Sequence, residues 1–149
     1  MAYPNPYDPF ARTDLTANEH ALLTFMDKCM HGGDLSLIDT MVAPDYIQHT
    51  PGIGHGREGL RAYITQIAHK RPGWREWRAI QLFASGDVVT LHKLLPQVVI
   101  ADFMRFNADG LMAENIGTWS SRCRNPATDP MKPSEENLDR FRALFGISQ

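Results

Sequence analysis

Four titratable side chains in this sequence are candidates for chemistry: two histidines on a loop, of which His55 can also cap the following helix or simply face water, and a histidine and an aspartate inside apolar runs. His49 and His55 fall in Asp45-Tyr-Ile-Gln-His-Thr-Pro51 and in the Gly54-His-Gly-Arg-Glu-Gly-Leu60 that follows, a Gly/Pro-rich loop leading into a helix. His92 and Asp102 fall inside two strongly apolar, strand-like runs. Burying such groups costs free energy unless they are paired or used, so their placement points to a pocket. Asp102 shares a strand face with Val98, Ile100 and Met104. Desolvation there disfavours the charged carboxylate, and a raised pKa suits a general acid or base working near neutral pH. His92, on a face with Thr90 and Leu94, is expected to hydrogen-bond a developing enolate or to protonate an alkoxide. The bland alternatives are an aspartate paired with an arginine or a backbone amide, and a core histidine with its hydrogen bonds satisfied.

Other chemistries find less support. Three histidines and a carboxylate suffice in principle to hold a metal, yet His49, His55 and His92 match no compact metal spacing, and no cofactor is expected. No Gly-rich phosphate loop, Ser/His/Asp arrangement or nucleophile elbow is visible. Tyr46 and Tyr63 can lend hydroxyls to a ligand, although amphipathic packing explains them as well. Trp77 has the parity to join a core or a pocket wall.

These side chains need elements to position them. Residues 1–13, with three prolines, read as an extended arm. Thr16-x-x-Glu19 fits a capping box, and Leu22, Leu23, Phe25, Met26 and Met30 recur at helical spacing until Gly32-Gly33. A short second helix carries Leu35 to Val42 and is expected to end at Pro44. A third runs from Arg57 to Lys70, with Leu60, Tyr63, Ile64 and Ile67 on one face. The period then changes. Trp74–Phe83, Val88–Leu95, Val98–Phe106 and Leu111–Ser121 read as four strands joined by turn chemistry, hence antiparallel hairpins. Asn125–Pro133 reads as a linker and 134–146 as a final helix. Helices first and a strand meander second give an α+β class, with helices on one face of an antiparallel sheet. Both faces of Val98–Phe106 are apolar, where a half-solvated sheet alternates. A homodimer through the sheet is therefore expected.

At 149 residues the chain fits a single domain with a substantial core. Its net charge of −2 leaves no basic footprint for nucleic acid, and no apolar run approaches the ~18 residues of a membrane helix. Cys29 and Cys123 lack CxxC spacing and read as reduced thiols. With an N-terminus unlike a signal peptide, a cytoplasmic location is expected.

The layout and several words resemble the SnoaL-like polyketide cyclase family, within the nuclear transport factor 2-like superfamily. The resemblance rests on Asp45–Pro51, Gly56-Arg-Glu-Gly59, the strand containing His92, and Asp102-Phe-Met-Arg-Phe-Asn-Ala-Asp-Gly110 with Leu111-Met-Ala-Glu114. It spans about residues 16–121. It implies a cone of curved sheet wrapped by helices, with a pocket in the open end. It also implies cofactor-free aldol chemistry, with Asp102 as the acid/base group and His49 and His92 as neighbours. Many relatives continue Glu-His-Trp-Asp where this chain has Glu114-Asn-Ile-Gly117, so Asn115 and its neighbours reshape the pocket.

The expected function is a cofactor-independent cyclase, isomerase or lyase acting on a small hydrophobic carbonyl compound. Asp102 takes a proton beside the carbonyl, His92 or His49 supports the oxygen, and Tyr46, Tyr63, Trp77, Ile100, Met104 and Asn115 contact the ligand. Exchanging Asp102 for Asn is expected to remove turnover and leave the fold intact. The alternative is a non-catalytic domain of the same fold that binds a small molecule, because fold alone does not decide function.

Overall fold

The computed structural model describes residues 8–121 apart from 67 and 97. The start of the arm, Ile67, Cys123, the 125–133 linker and the 134–146 helix expected from sequence lie outside the described residues. The described part of the arm is not simply extended. Pro9–Ala11 makes a 3₁₀ turn, with the Asp8 side chain accepting from the Phe10 amide. Arg12 then reaches Glu19 and the Leu82 carbonyl.

The capping box forms as expected. Thr16 accepts from the Glu19 amide, and Glu19 accepts from the Thr16 amide. Helix α1 (Ala17–Thr24) continues as a π-helical stretch, Phe25–His31, that buries Phe25, Met26, Cys29, Met30 and His31. Such widened turns are rare and concentrate at functional sites. After α2 (Leu37–Met41) the chain does not stop at Pro44. It enters strand β1, Val42–Gln48, which sequence reading took for part of the loop. Proline is tolerated there because β1 is an edge strand and is bulged. Val42 pairs with Met112 but Ile47 already pairs with Glu114, so Pro44 and Asp45 bow out of the ladder.

Helix α3 (Gly56–Gln66) and a 3₁₀ turn at Ala68–Lys70 follow. The Gly54…Gly59 spacing is a packing device. A Cβ at Gly59 would meet the Gly54 backbone at 2.2 Å, so only glycine lets the loop lie against the first turns of α3. Strands β2 (Arg78–Ser85), β3 (Val88–Leu94), β4 (Val98–Phe106) and β5 (Met112–Ser121) complete the sheet. Trp74 and Trp77 precede β2 rather than opening it. The order is β1-β5-β4-β3-β2, antiparallel throughout the expected meander and parallel only where β1 joins β5. Helices cover one face, where Leu22, Phe25, Met26, Leu60 and Ile64 pack with Val89, Leu91, Ile100, Met104 and Met112.

One buried histidine is tied to this packing. His31 is stacked on Trp77 at 4.9 Å between ring centres and tilted on Trp74 at 4.7 Å. Its Nδ1 donates to the Trp74 carbonyl at 2.7 Å, while Trp74 Nε1 donates to the Met30 carbonyl. Burial, helped by the Lys93 charge and opposed by the Trp74 hydrogen bond, pushes its pKa down to about 2. The unfolded chain therefore takes up a proton near pH 6.5 that the folded chain refuses. The contribution of neutral His31 is complete above pH 6.5 and erodes as pH falls towards 2, by about 1.4 kcal/mol per unit well below 6.5. Urea midpoints between pH 7 and pH 5 are expected to fall less steeply in His31→Gln than in wild type. Equal slopes would show that His31 does not set the acid limb.

Candidate functional site

Strand pairing decides which side chains share the site. Asp102 on β4 stands opposite Leu91 on β3 and Gly117 on β5, and Ile100 stands opposite Lys93. Cross-strand partners point to the same face. The helix-covered face therefore carries Lys93 beside Asp102, both nearly enclosed, with side chains 3% and 10% exposed. Lys93 Nζ lies 2.9 Å from Asp102 Oδ2. The approach is off the line of a hydrogen bond, so Oδ2 is a buried acceptor without a directed donor. The second contact of Nζ is the Met26 sulfur at 3.4 Å, a weak acceptor. The two charges thus compensate each other while keeping spare hydrogen-bonding capacity.

A narrow cavity of about 30 Å³ opens beside this pair, room for roughly two water molecules. Its polar lining comes from Asp102, Lys93, Asn115, Tyr63, Gln48 and Thr50, and its apolar lining from Met30, Ile53, Trp74 and Ile100. Two of these polar groups are buried without partners: the Tyr63 hydroxyl and Asn115 Nδ2. Burial raises the Tyr63 pKa, with Arg71 opposing and Asp102 adding to the rise, so the phenol stays a neutral donor. Gln48 is held in place. Its Nε2 donates to the Tyr46 hydroxyl, its Oε1 accepts from the Thr50 amide, and its own amide donates to His55 Nδ1. Carboxylate, ammonium, phenol and amide thus converge on a space that fits a carbonyl group.

Of the residues expected from sequence, Asp102, Tyr63, Ile100 and Asn115 line this cavity. Met104 and Tyr46 are buried but do not reach it. Tyr46 lies near enough for the Asp102 charge to add to the rise in pKa that burial causes. His92 does not join Asp102. It pairs with Ala101, one residue out of phase, and so occupies the opposite face of the sheet. His49 is on that face too, where its Nε2 donates to Glu114 at 2.7 Å and Arg105 donates to the other oxygen of the same carboxylate. These two hydrogen bonds, His49's the larger, hold the Glu114 pKa below the usual range. Trp77 belongs to a separate hollow of about 510 Å³ with Phe10, Arg78 and Leu94, at the β2 edge and away from the paired charges. Among the described residues no three His, Cys, Asp or Glu side chains converge as a metal site would require.

Sequence reading missed Lys93, and the signal was present. The expected strand ends, Leu95 and Val98, are joined by the Leu95 amide donating to the Val98 carbonyl. Counting back from that pair places Lys93, not His92, on the face of Asp102.

The sequence profile of the SnoaL-like domain matches residues 22–115, well over half of the chain. No curated protein matches the sequence at a comparable level. Among solved structures, the chain is similar to a provisionally assigned polyketide cyclase from Bacillus cereus, at 22% identity and a TM-score of 0.60 over 80% of this chain and 87% of that one. It is also similar to a provisionally assigned ketosteroid isomerase from Kribbella flavida, at 17% identity and a TM-score of 0.56 over 81% and 93%. An NTF-2 like protein of unknown function from Burkholderia xenovorans aligns at 16% identity, with a TM-score of 0.60 over 89% and 94%. At such identities these structures establish the shared fold. With the profile match across both paired-charge strands, they show that the chain belongs to the SnoaL-like domain family.

Proposed function

We propose that this protein is a cofactor-independent acid/base catalyst, a cyclase, isomerase or lyase, acting on a small hydrophobic carbonyl compound. One observation carries the reading: a buried carboxylate–ammonium pair borders a cavity into which an unpartnered phenol and an unpartnered amide also project. Asp102 accepts the proton from the carbon beside the carbonyl. Lys93 and the Tyr63 hydroxyl, rather than either histidine named from sequence, support the negative charge that develops on the oxygen. Preorganised donors in a water-poor site act most strongly where charge appears in the transition state. The structural neighbours provisionally assigned as polyketide cyclase and ketosteroid isomerase fit this class of reaction.

Glycine at position 117 supports the reading. It stands opposite Asp102, and a Cβ there would come within 3.3 Å of Asp102 Oδ1 and 3.2 Å of Thr50 Oγ1. The aspartate common at this position in relatives would crowd the carboxylate with a like charge. Glycine leaves the Asp102 carboxylate clear of that neighbour.

The other face of the sheet is proposed to meet a second copy of the chain. Phe83, Thr90, Phe103 and Ile116 form one continuous cross-strand row, and its three large apolar members are 54%, 39% and 48% exposed. Ile47, 40% exposed, extends the patch over the edge strand. A contiguous apolar stripe on a sheet suits a two-fold interface, in which the same patch meets itself. A reducing, cytoplasmic setting suits the buried free thiol of Cys29, whose pKa burial pushes up to about 12. No helix among the described residues is long and apolar enough to cross a membrane.

Two outcomes check these readings. In deuterated water, the wild type is expected to exchange the α-hydrogens of a small methyl ketone, followed by NMR. Asp102→Asn should lose this activity by roughly 10²–10⁴-fold. Because Asn leaves Lys93 buried without its counter-charge, that variant should also lose about 3–5 kcal/mol of stability, so the comparison belongs below its melting temperature. Undiminished exchange in Asp102→Asn would remove the proposed role. For the interface, light scattering should return twice the 16.8 kDa chain mass for wild type and a single chain for Phe103→Glu. A monomeric wild type at micromolar concentration contradicts it.

A further inference from the structure

Lysine normally buries its aliphatic stem and sends its ammonium to water. Lys93 does the reverse from β3, an interior strand of the sheet. Its side chain is 3% exposed, and its nitrogen touches one carboxylate oxygen off-axis and one thioether. A lysine serving only as a counter-ion would be fixed by more acceptors than these, since an ammonium has three hydrogens to satisfy. The nitrogen instead borders the cavity, with the Tyr63 hydroxyl and the Asn115 amide in the same lining.

We propose that Lys93 is a covalent nucleophile that captures the carbonyl carbon of an aldehyde or methyl ketone as an iminium, with Asp102 carrying the protons. The proposal rests on the acid/base role of Asp102 given above, and it replaces electrostatic support of the oxygen by Lys93 with a covalent electron sink. A proton passes from Nζ to Oδ2 across the 2.9 Å contact. The free amine adds to the carbonyl carbon, forming the C–N bond as the π pair moves to oxygen. That oxygen takes one proton from the nitrogen and a second from the Asp102 carboxyl, and leaves as water as C=N closes. The sum is an ammonium and a carbonyl giving an iminium and water, with Asp102 returned as carboxylate. The iminium then draws electrons from the neighbouring C–H bond, and Asp102 stands beside it to take that proton. The Tyr63 hydroxyl and Asn115 Nδ2 are the unpartnered donors available to the departing oxygen.

Size narrows the substrate class. A space for roughly two waters admits a carbonyl with one small substituent, such as a hydrogen or methyl, while the rest of the molecule points to the mouth. Aldehydes and methyl ketones qualify, and ketones branched on both sides do not.

The test treats the full-length protein with butan-2-one and sodium cyanoborohydride at neutral pH and maps the alkylated peptides by mass. The chain has three other lysines, Lys28, Lys70 and Lys132, that serve as internal controls. Alkylation at Lys93 at least tenfold above these three is expected. Label absent from Lys93, or spread evenly over all four, overturns the proposal. A second measurement separates it from the reading it rests on. Lys93→Arg keeps a cation and hydrogen-bond donors beside Asp102 but has no nucleophilic amine. Its ketone α-hydrogen exchange should fall at least tenfold. If exchange is unchanged in Lys93→Arg yet lost in Asp102→Asn, Lys93 capture is wrong and the Asp102 base stands. If exchange is unaffected by Asp102→Asn, the acid/base reading itself has failed.

Discussion

The buried contact between Lys93 and Asp102 is the constraint around which the site is arranged. Neither charge is tolerable alone in that position, because removing an ion from water costs several kcal/mol that only a close, well-placed partner offsets. The register of β3 against β4 brings the two residues side by side. The π-helical stretch after α1 adds Met26 and Met30 above them, and α3 adds Tyr63. A well-packed apolar pair of the same volume would commonly be no less stable, so a lone buried ion pair is poor evidence of a stabilising device. Its position beside a cavity with two unpartnered polar groups is the observation on which the proposed acid/base role rests.

The sheet divides its labour by parity. On the helix-covered face lie Lys93, Ile100, Asp102 and Asn115, and on the other lie His92, Phe103, Arg105, Glu114 and Ile116. Every second residue of the same strands faces the helices, where these four line the cavity, and the alternates face the outer surface. The hydrogen-bonded trio of His49, Glu114 and Arg105 belongs to that outer surface, where it borders the apolar row.

This parity also explains what sequence could and could not give. The α+β class, the four-strand meander, the capping box at Thr16 and the burial of Asp102 were legible, because period, turn residues and an acid in an apolar run are local signals. Strand β1 was not, because Pro44 reads locally as a helix stop while its strand state depends on a remote, bulged edge with β5. His92 and His49 lie on the face opposite Asp102 for a sharper reason. A one-residue slip exchanges the two faces of a strand completely. The Gly54…Gly59 spacing lets its loop pack closely on α3, while Thr50 and Ile53 of the same loop line the cavity.

The central claim is that Lys93 and Asp102 act as one coupled unit, and a double-mutant cycle tests it most directly. Unfolding free energies are needed for wild type, Lys93→Met, Asp102→Leu and the double variant, with ketone exchange measured on each. The account predicts that each single variant loses about 3–5 kcal/mol and that the double variant recovers most of that loss, while exchange stays absent in all three. Additive losses, or exchange surviving in the double variant, would contradict it.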